Sequence, residues 1–153
     1  MRRLVVDPKR CTGCRLCESA CALYNDNLND LTRSRIRIVK KHAIGLAAPV
    51  VCHQCKKPPC LAACPVGAIK KESSGLVSID GEICIGCEAC VTQCPFGVIA
   101  TTPDGVAKCE LCNGDPQCVK YCATGAIEYA DPEAVVLRKR VNGANAILEQ
   151  LET

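Results

Sequence analysis

Aromatic side chains are nearly missing: one Phe, three Tyr and no Trp in 153 residues. That excludes a core built around rings, and it excludes a base-stacking surface for single-stranded nucleic acid. Long apolar runs are missing too. The longest, Ile44 to Val51, carries Gly45 and Pro49, whereas a membrane-spanning helix needs about 20 predominantly apolar residues. No membrane span is expected. After Met1-Arg2-Arg3 the apolar stretch Leu4-Val5-Val6 stops at Asp7-Pro8, short of the roughly 7–15 apolar residues of a secretory leader. There is no Gly-x-Gly-x-x-Gly loop for a dinucleotide and no phosphate loop. The chain is therefore not expected to be an enzyme: no residues stand ready for hydride, phosphoryl or nucleophilic chemistry on an organic substrate.

Cysteine is in excess, 16 residues in all. A composition this rich in Cys can mark a disulfide-stapled secreted domain. Eight strain-free disulfides are hard to draw from cysteines as close as Cys11, Cys14, Cys17 and Cys21. With no leader of its own the chain is expected in the cytoplasm, where thiols stay reduced or bind metal. Export on a partner's leader stays open.

The cysteines form a repeat, four groups of four. The first is Cys11, Cys14, Cys17 and Cys21; the second Cys52, Cys55, Cys60 and Cys64. The third is Cys84, Cys87, Cys90 and Cys94; the fourth Cys109, Cys112, Cys118 and Cys122. Flanks repeat as well. Asp7-Pro8-Lys9-Arg10-Cys11-Thr12-Gly13-Cys14 echoes Asp80-Gly81-Glu82-Ile83-Cys84-Ile85-Gly86-Cys87. Cys64-Pro65-Val66-Gly67-Ala68-Ile69 echoes Cys94-Pro95-Phe96-Gly97-Val98-Ile99 and Cys122-Ala123-Thr124-Gly125-Ala126-Ile127. Each unit reads as strand, Cys-rich loop, short helical turn, Gly and strand, an α+β pattern. Alternation predicts strands at Leu4–Asp7 and Leu76–Asp80, and an edge strand over Arg35–Val39. The first group runs on into Ala22-Leu23-Tyr24 rather than Pro-x-Gly, so residues 22–48 read as an inserted connector. In the Cys-free tail, a short helix is expected over Ala144–Leu151, after Gly143.

Thiolates spaced Cys-x2-Cys-x2-Cys can wrap three corners of one cubic cluster, with loop N–H groups turned toward the sulfurs. In bacterial two-cluster ferredoxins the run is Cys-x2-Cys-x2-Cys-x3-Cys-Pro, and its fourth Cys ligates the other cluster. The third group matches residue for residue through Pro95, and the first matches all four Cys spacings. The second and fourth widen the middle with prolines, Pro58-Pro59 and Pro116. Sixteen thiolates divide into four 4Fe-4S clusters with none left over. Structural zinc is the competing metal, but it needs four donors converging on one atom. Iron and sulfide analysis separates the iron–sulfur reading from zinc and from disulfides.

Cys52-His53-Gln54-Cys55, Pro58-Pro59-Cys60, Cys64-Pro65, Lys108-Cys109 and Pro116-Gln117-Cys118-Val119 carry a resemblance. Over about residues 1–130 the chain resembles the four-cluster ferredoxin-type electron-transfer subunits of oxidoreductases. These serve molybdenum and tungsten pterin enzymes such as aldehyde oxidoreductase, and hydrogenase, formate and carbon monoxide dehydrogenase complexes. The resemblance implies that the fourth ligands are exchanged in pairs. Cys11, Cys14, Cys17 and Cys122 would hold one cluster, and Cys21, Cys109, Cys112 and Cys118 its neighbour. Cys52, Cys55, Cys60 and Cys94 would hold the third, and Cys64, Cys84, Cys87 and Cys90 the fourth. It further implies two nested bacterial-ferredoxin-like units. Residues 1–30 and 101–130 form the outer one, 31–48 a connector, 49–100 the inner one, and 131–153 a tail for partner docking. The implied partners are a catalytic oxidoreductase subunit, a flavin/NAD subunit or ferredoxin, and, through an open-ended wire, a second copy. A free polyferredoxin carrier is the alternative. Ala22 and Ala123 replace the proline after the last Cys in the first and fourth groups.

The formal charge of +3 counts every Cys as neutral. Four clusters at about −2 each, thiolates included, bring the loaded protein to about −5, which removes the basic surface that nucleic acid needs. Lys40-Lys41, Lys56-Lys57, Lys70-Lys71 and Arg138-Lys139-Arg140 then read as solvated charge, local compensation or docking. His53, between two ligands, is either a donor to a cluster sulfur or a polar loop residue; His42 reads as surface. Tyr24, Tyr121 and Phe96 are expected to shield clusters, and Ala134-Val135-Val136-Leu137 to face a partner.

Overall fold

The sequence repeat becomes a repeat of short antiparallel strand pairs with helical turns between them. The computed structural model describes residues 1–151. In chain order it contains β1 (Arg3–Val6), α1 (Leu16–Asp26), β2 (Arg37–Lys41), β3 (Leu46–Val50) and α2 (Pro59–Ala62). Then come β4 (Ile69–Lys71), β5 (Val77–Ile79), α3 (Ala89–Thr92), β6 (Ala100–Thr102) and β7 (Gly105–Ala107). The chain ends with α4 (Gln117–Lys120), β8 (Ile127–Ala130) and α5 (Pro132–Leu151). This is a small mixed helix and strand fold.

Three of the two-stranded sheets pair neighbours along the chain: β2 with β3, β4 with β5, β6 with β7. The fourth pairs β1 with β8, setting Leu4 opposite Tyr129 and Val6 opposite Ile127. Leu4 and Ile127 are buried there, which fixes the register, because a one-residue slip would turn both outward. The Met1 amine closes the same edge on Asp131 at 2.7 Å.

Two separate apolar clusters fill the interior. One joins Leu4, Ile36, Val51, Leu111 and Ile127 to Cys17, Cys21 and Cys118. The other joins Ile69, Val77 and Ile99 to Cys60 and Cys90. Helix α1 packs on α4 beside the first, and α2 on α3 beside the second. Among the described residues, no aromatic ring belongs to the buried part of either cluster.

Several elements differ from expectation. The edge strand begins at Arg37, not Arg35. The Arg35 N–H is drawn to the Cys21 sulfur at 3.3 Å and the Ile36 N–H to the Ser34 hydroxyl at 3.3 Å, so neither can join a ladder. The stretch read as connector opens with helix. With no proline after Cys21, α1 runs on through Ala22 to Asp26 and stops at Asn27, in the left-handed region at φ 55°. Residues 37–50 then form a hairpin. In the tail, helix covers Pro132–Leu151 in place of the short segment expected after Gly143. Asp131 caps it by accepting the Glu133 N–H at 3.0 Å, and Pro132 opens the first turn. Within it Val135 is buried, against the expectation of a partner-facing motif, while Val136 and Leu137 are exposed. No helix among the described residues is long and apolar enough to cross a membrane.

Candidate metal centres

The loops that carry the cysteines repeat in backbone as well as in sequence. Gly13 and Gly86 sit at φ +71° and +67°, and Arg15 and Glu88 at φ 66° and 58°. The x-Gly-Cys-x turns of the first and third groups are thus the same fold of chain. The turns after the last cysteine also match. The Gly97 N–H donates to Cys94 O at 3.1 Å and the Gly125 N–H to Cys122 O at 3.0 Å. Ala123 therefore preserves the turn that Pro95 makes.

Four cavities hold all the cysteines, four in each. Cys11, Cys14, Cys17 and Cys122 line one, between α1 and β8. Cys21, Cys109, Cys112 and Cys118 line the next. Cys52, Cys55, Cys60 and Cys94 line a third, and Cys64, Cys84, Cys87 and Cys90 the fourth. The cavities are similar in size, about 300–370 Å³ counted out to the open mouth. Helix α1 delivers Cys17 to the first cavity and Cys21 to the second; α2 ends between Cys60 of the third and Cys64 of the fourth. In each cavity three cysteines come from one group and one from another.

The surroundings favour charged sulfur at some positions and resist it at others. Around Cys64 burial pulls toward the neutral thiol, but the N–H groups of Ile69, Val66, Ala68 and Gly67 outweigh it and hold the pKa below the ordinary value. Cys122 is held down in the same way, against burial, by the Thr124 hydroxyl and the N–H groups of Ile127, Ala126 and Thr124. Burial, aided by the Glu18 carboxylate, pushes Cys17 up to about 12, and burial pushes Cys109 up to about 12. Cys118 is raised as well, by burial and then by Cys109 and Cys21. Bare thiols at these three positions stay protonated at neutral pH, so metal loading must release their protons.

Three observations bear on whether these residues fit clusters. All sixteen cysteines are free, so none of the eight disulfides of the competing reading is formed. No three His, Cys, Asp or Glu donors among the described residues come together as a single ion requires; the thiols ring a space instead. Cations on two of the cavity walls are incompletely partnered. Arg35 Nε, on the wall with Cys21, is buried without a hydrogen bond. Lys108, on the wall with Cys52, is 1% exposed and forms no ion pair with a carboxylate among the described residues. A dianionic cluster supplies the charge that Lys108 lacks and an acceptor for Arg35 Nε.

Sequence reasoning leaves several of these residues without a role. Gln54 is buried and ties two cavities together. Its Nε2 donates to Cys109 O at 2.8 Å and its Oε1 accepts the Val77 N–H at 2.9 Å. Glu18, fully buried on α1, accepts the Ile38 N–H at 3.0 Å and the Arg15 guanidinium. Lys108 and Gln54 are visible as letters of the motif, and Glu18 as the lone carboxylate between Cys17 and Cys21. Of the expected shields, Phe96 lines the cavity of Cys52 and stacks on His53 at 4.1 Å, and Tyr121 lines that of Cys11. Tyr24 lines no cysteine cavity and sits half-exposed on α1. His53 is held low by burial and by Arg3. His42 is exposed. The basic runs are mostly exposed, with Lys70 on Asp80 at 2.9 Å and Arg138 on Glu128 at 2.6 Å.

The chain is similar to known iron–sulfur proteins. A 4Fe-4S dicluster domain matches residues 44–132 and a 4Fe-4S binding domain matches residues 4–21. The polyferredoxin-like subunit of an aliphatic sulfonate oxidoreductase from Pyrococcus furiosus is 40% identical, over 78% of this chain and 70% of its own. The electron transfer subunit PhsB of a thiosulfate reductase from Salmonella typhi is 36% identical, over 80% of this chain and 72% of its own. A tetrathionate reductase component from Archaeoglobus fulgidus is 42% identical, over 71% of this chain and 54% of its own. Among solved structures, the active-site complex BamBC of benzoyl coenzyme A reductase contains a chain of the same fold. The TM-score is 0.50 at 23% identity, covering 100% of this chain and 98% of that one. The matched domains and the sixteen cysteines account for four 4Fe-4S clusters.

Proposed function

The chain belongs to the 4Fe-4S dicluster ferredoxin family, and from that premise we propose that it is a four-cluster relay with two open ends. It is an iron–sulfur electron-transfer subunit of an oxidoreductase complex. When bound, each 4Fe-4S cluster takes up and gives back one electron. Everything else is the work of the chain: thiolates hold, loop N–H groups offset negative charge, and aliphatic walls exclude water. Each cavity is read as one ligand set. Neighbouring cavities share α1 and α4 on one side, α2 and α3 on the other, and Gln54 and Lys108 in the middle. That gives a linear order from the Cys11 set through the Cys21 and Cys52 sets to the Cys64 set. The nested reading, an inner unit over about 49–100 inside an outer one, draws support from the β1–β8 pairing and the two separate cores.

One observation carries the open-ended relay. Cys14 and Cys87 are the exposed cysteines, one in each terminal set, whereas both middle sets have only buried or half-buried ones. We take the partner at one end to be a molybdenum or tungsten pterin oxidoreductase in the cytoplasm, the class the sequence resemblance implies. The chain itself performs no substrate chemistry.

Anaerobic purification in high salt tests this. The protein should stay with a large catalytic subunit and carry about sixteen iron atoms. A Cys87→Ser variant should block electron delivery to an external acceptor while the partner's own site still turns over. Undiminished delivery sinks the relay.

A further inference from the structure

Lys108 stands out among the cations of this molecule. It is the largest of the fully buried side chains, 1% exposed, on a residue type that normally keeps its ammonium in water. Its Nζ donates to the carbonyl oxygen of Val77 and, at 3.1 Å, to that of Cys109. Both acceptors are neutral. Burying an ammonium without a counter-charge is strongly unfavourable, so a negative group must face it when the protein is complete. The wall it forms belongs to the cavity of Cys52, Cys55, Cys60 and Cys94. Its backbone continues directly into Cys109 of the adjoining cavity.

The other three cavities are furnished differently. Arg15, on the wall with Cys11, is half-exposed and already paired with Glu18. Arg35, on the wall with Cys21, has Glu110 at 3.8 Å. The residues lining the Cys64 cavity include no cation and instead carry Glu88. Lys108 is therefore the one cavity-wall cation that is both buried and without a carboxylate among the described residues.

A fixed positive charge next to a cluster stabilises the more negative, reduced form and raises the reduction potential. We infer that Lys108 is a positioning residue of the relay, a buried cation that holds the cluster of Cys52, Cys55, Cys60 and Cys94 at a higher potential than its neighbour on Cys64, Cys84, Cys87 and Cys90. This rests on the relay reading and adds direction to it. Within the inner pair an electron settles beside Lys108. Gln54 helps fix the geometry, because it donates to the same Cys109 carbonyl and accepts the N–H of Val77, whose carbonyl Lys108 holds.

Redox titration of the purified holoprotein, followed by electron paramagnetic resonance with iron and sulfide counts, tests the assignment. Lys108→Met should keep about sixteen iron atoms and lower one midpoint, so that at fixed poise the reduced-to-oxidised ratio of that cluster falls about tenfold, equivalent to about 59 mV for one electron. The affected signal should be the one altered by Cys55→Ser. Lys108→Arg, which keeps the charge, should restore it. Four unchanged midpoints in an iron-replete Met variant overturn the inference. If the Met variant loses iron, Lys108→Gln decides: it removes the charge but keeps a donor for the Val77 and Cys109 carbonyls, it should lower the same midpoint, and an unmoved midpoint overturns the inference. If neither variant keeps its iron, Lys108 is structural and the inference fails. Failure of the relay reading itself looks different, since it appears as undiminished delivery to the external acceptor by the Cys87→Ser variant, or as missing iron in the unaltered protein.

Discussion

Gly13 and Gly86 occupy equivalent turns, one before Cys14 and one before Cys87, and both hold a positive φ. Any L side chain there is strained by about 1–2 kcal/mol. Their surroundings differ. A Cβ on Gly13 would lie 2.9 Å from Lys40 Cε and 3.0 Å from Ala47 Cβ, while one on Gly86 meets nothing within 4 Å. Gly13→Ala must therefore push on β3 as well as bear the backbone strain. Gly86→Ala should leave the protein loaded and only modestly weakened, whereas Gly13→Ala should lose iron to a chelator distinctly faster. Equal rates of bleaching at the cluster absorbance would refute the packing argument. At this scale the sequence is highly legible for cysteines, because ligand spacing is a local property of one loop. It is poorly legible for Glu18, Gln54 and Lys108. Their importance comes from burial against distant segments, such as Gln54 on Val77 and Cys109, and no local spacing announces that.

Among the elements, the short strands and single helical turns follow from the repeat; β5 lies within its expected segment, and β1 overlaps its own but starts one residue earlier, at Arg3. The misread elements are the ones outside the repeat. Helix α1 continues past Cys21 because Ala22 replaces a proline, a signal present in the sequence that reads equally as a break into connector. Helix α5 announces itself by Asp131-Pro132-Glu133, a capping residue followed by proline at the first turn. Gly143 draws attention away as an apparent boundary. It lies inside the helix with open space around it, where glycine is less favourable than alanine by about 1 kcal/mol. Gly143→Ala should thus strengthen α5 by about that amount, raising amide-exchange protection across residues 132–151. A fall in protection would mean that a close backbone approach requires the glycine. The exposed face carries Val136, Leu137, Val141, Ile147 and Leu148, more apolar surface than a solvated helix needs.

On the scale of the whole molecule, β1 and β8 decide how the cavities depend on one another. Two of the four cavities draw cysteines from both the first and the fourth groups; the other two draw only on the second and third. Removing residues 1–10 deletes β1 and Leu4 and strips the first core of its edge. The shortened protein should keep the Cys52 and Cys64 sets and so about half its iron, with their resonance signals intact. Loss of all iron would show that the two cores are not separable and would sink the nested arrangement. Complete retention would show that β1 contributes nothing to the outer pair.

The same strand pairing orders events at birth. As the polypeptide leaves the ribosome, Cys11, Cys14 and Cys17 are exposed first, yet the enclosure they share with Cys122 closes last. The central thiols, complete at Cys94, can be enclosed while the earliest ones still wait. A cell that makes this protein must therefore keep its earliest thiols reduced until Cys122 has emerged to join them.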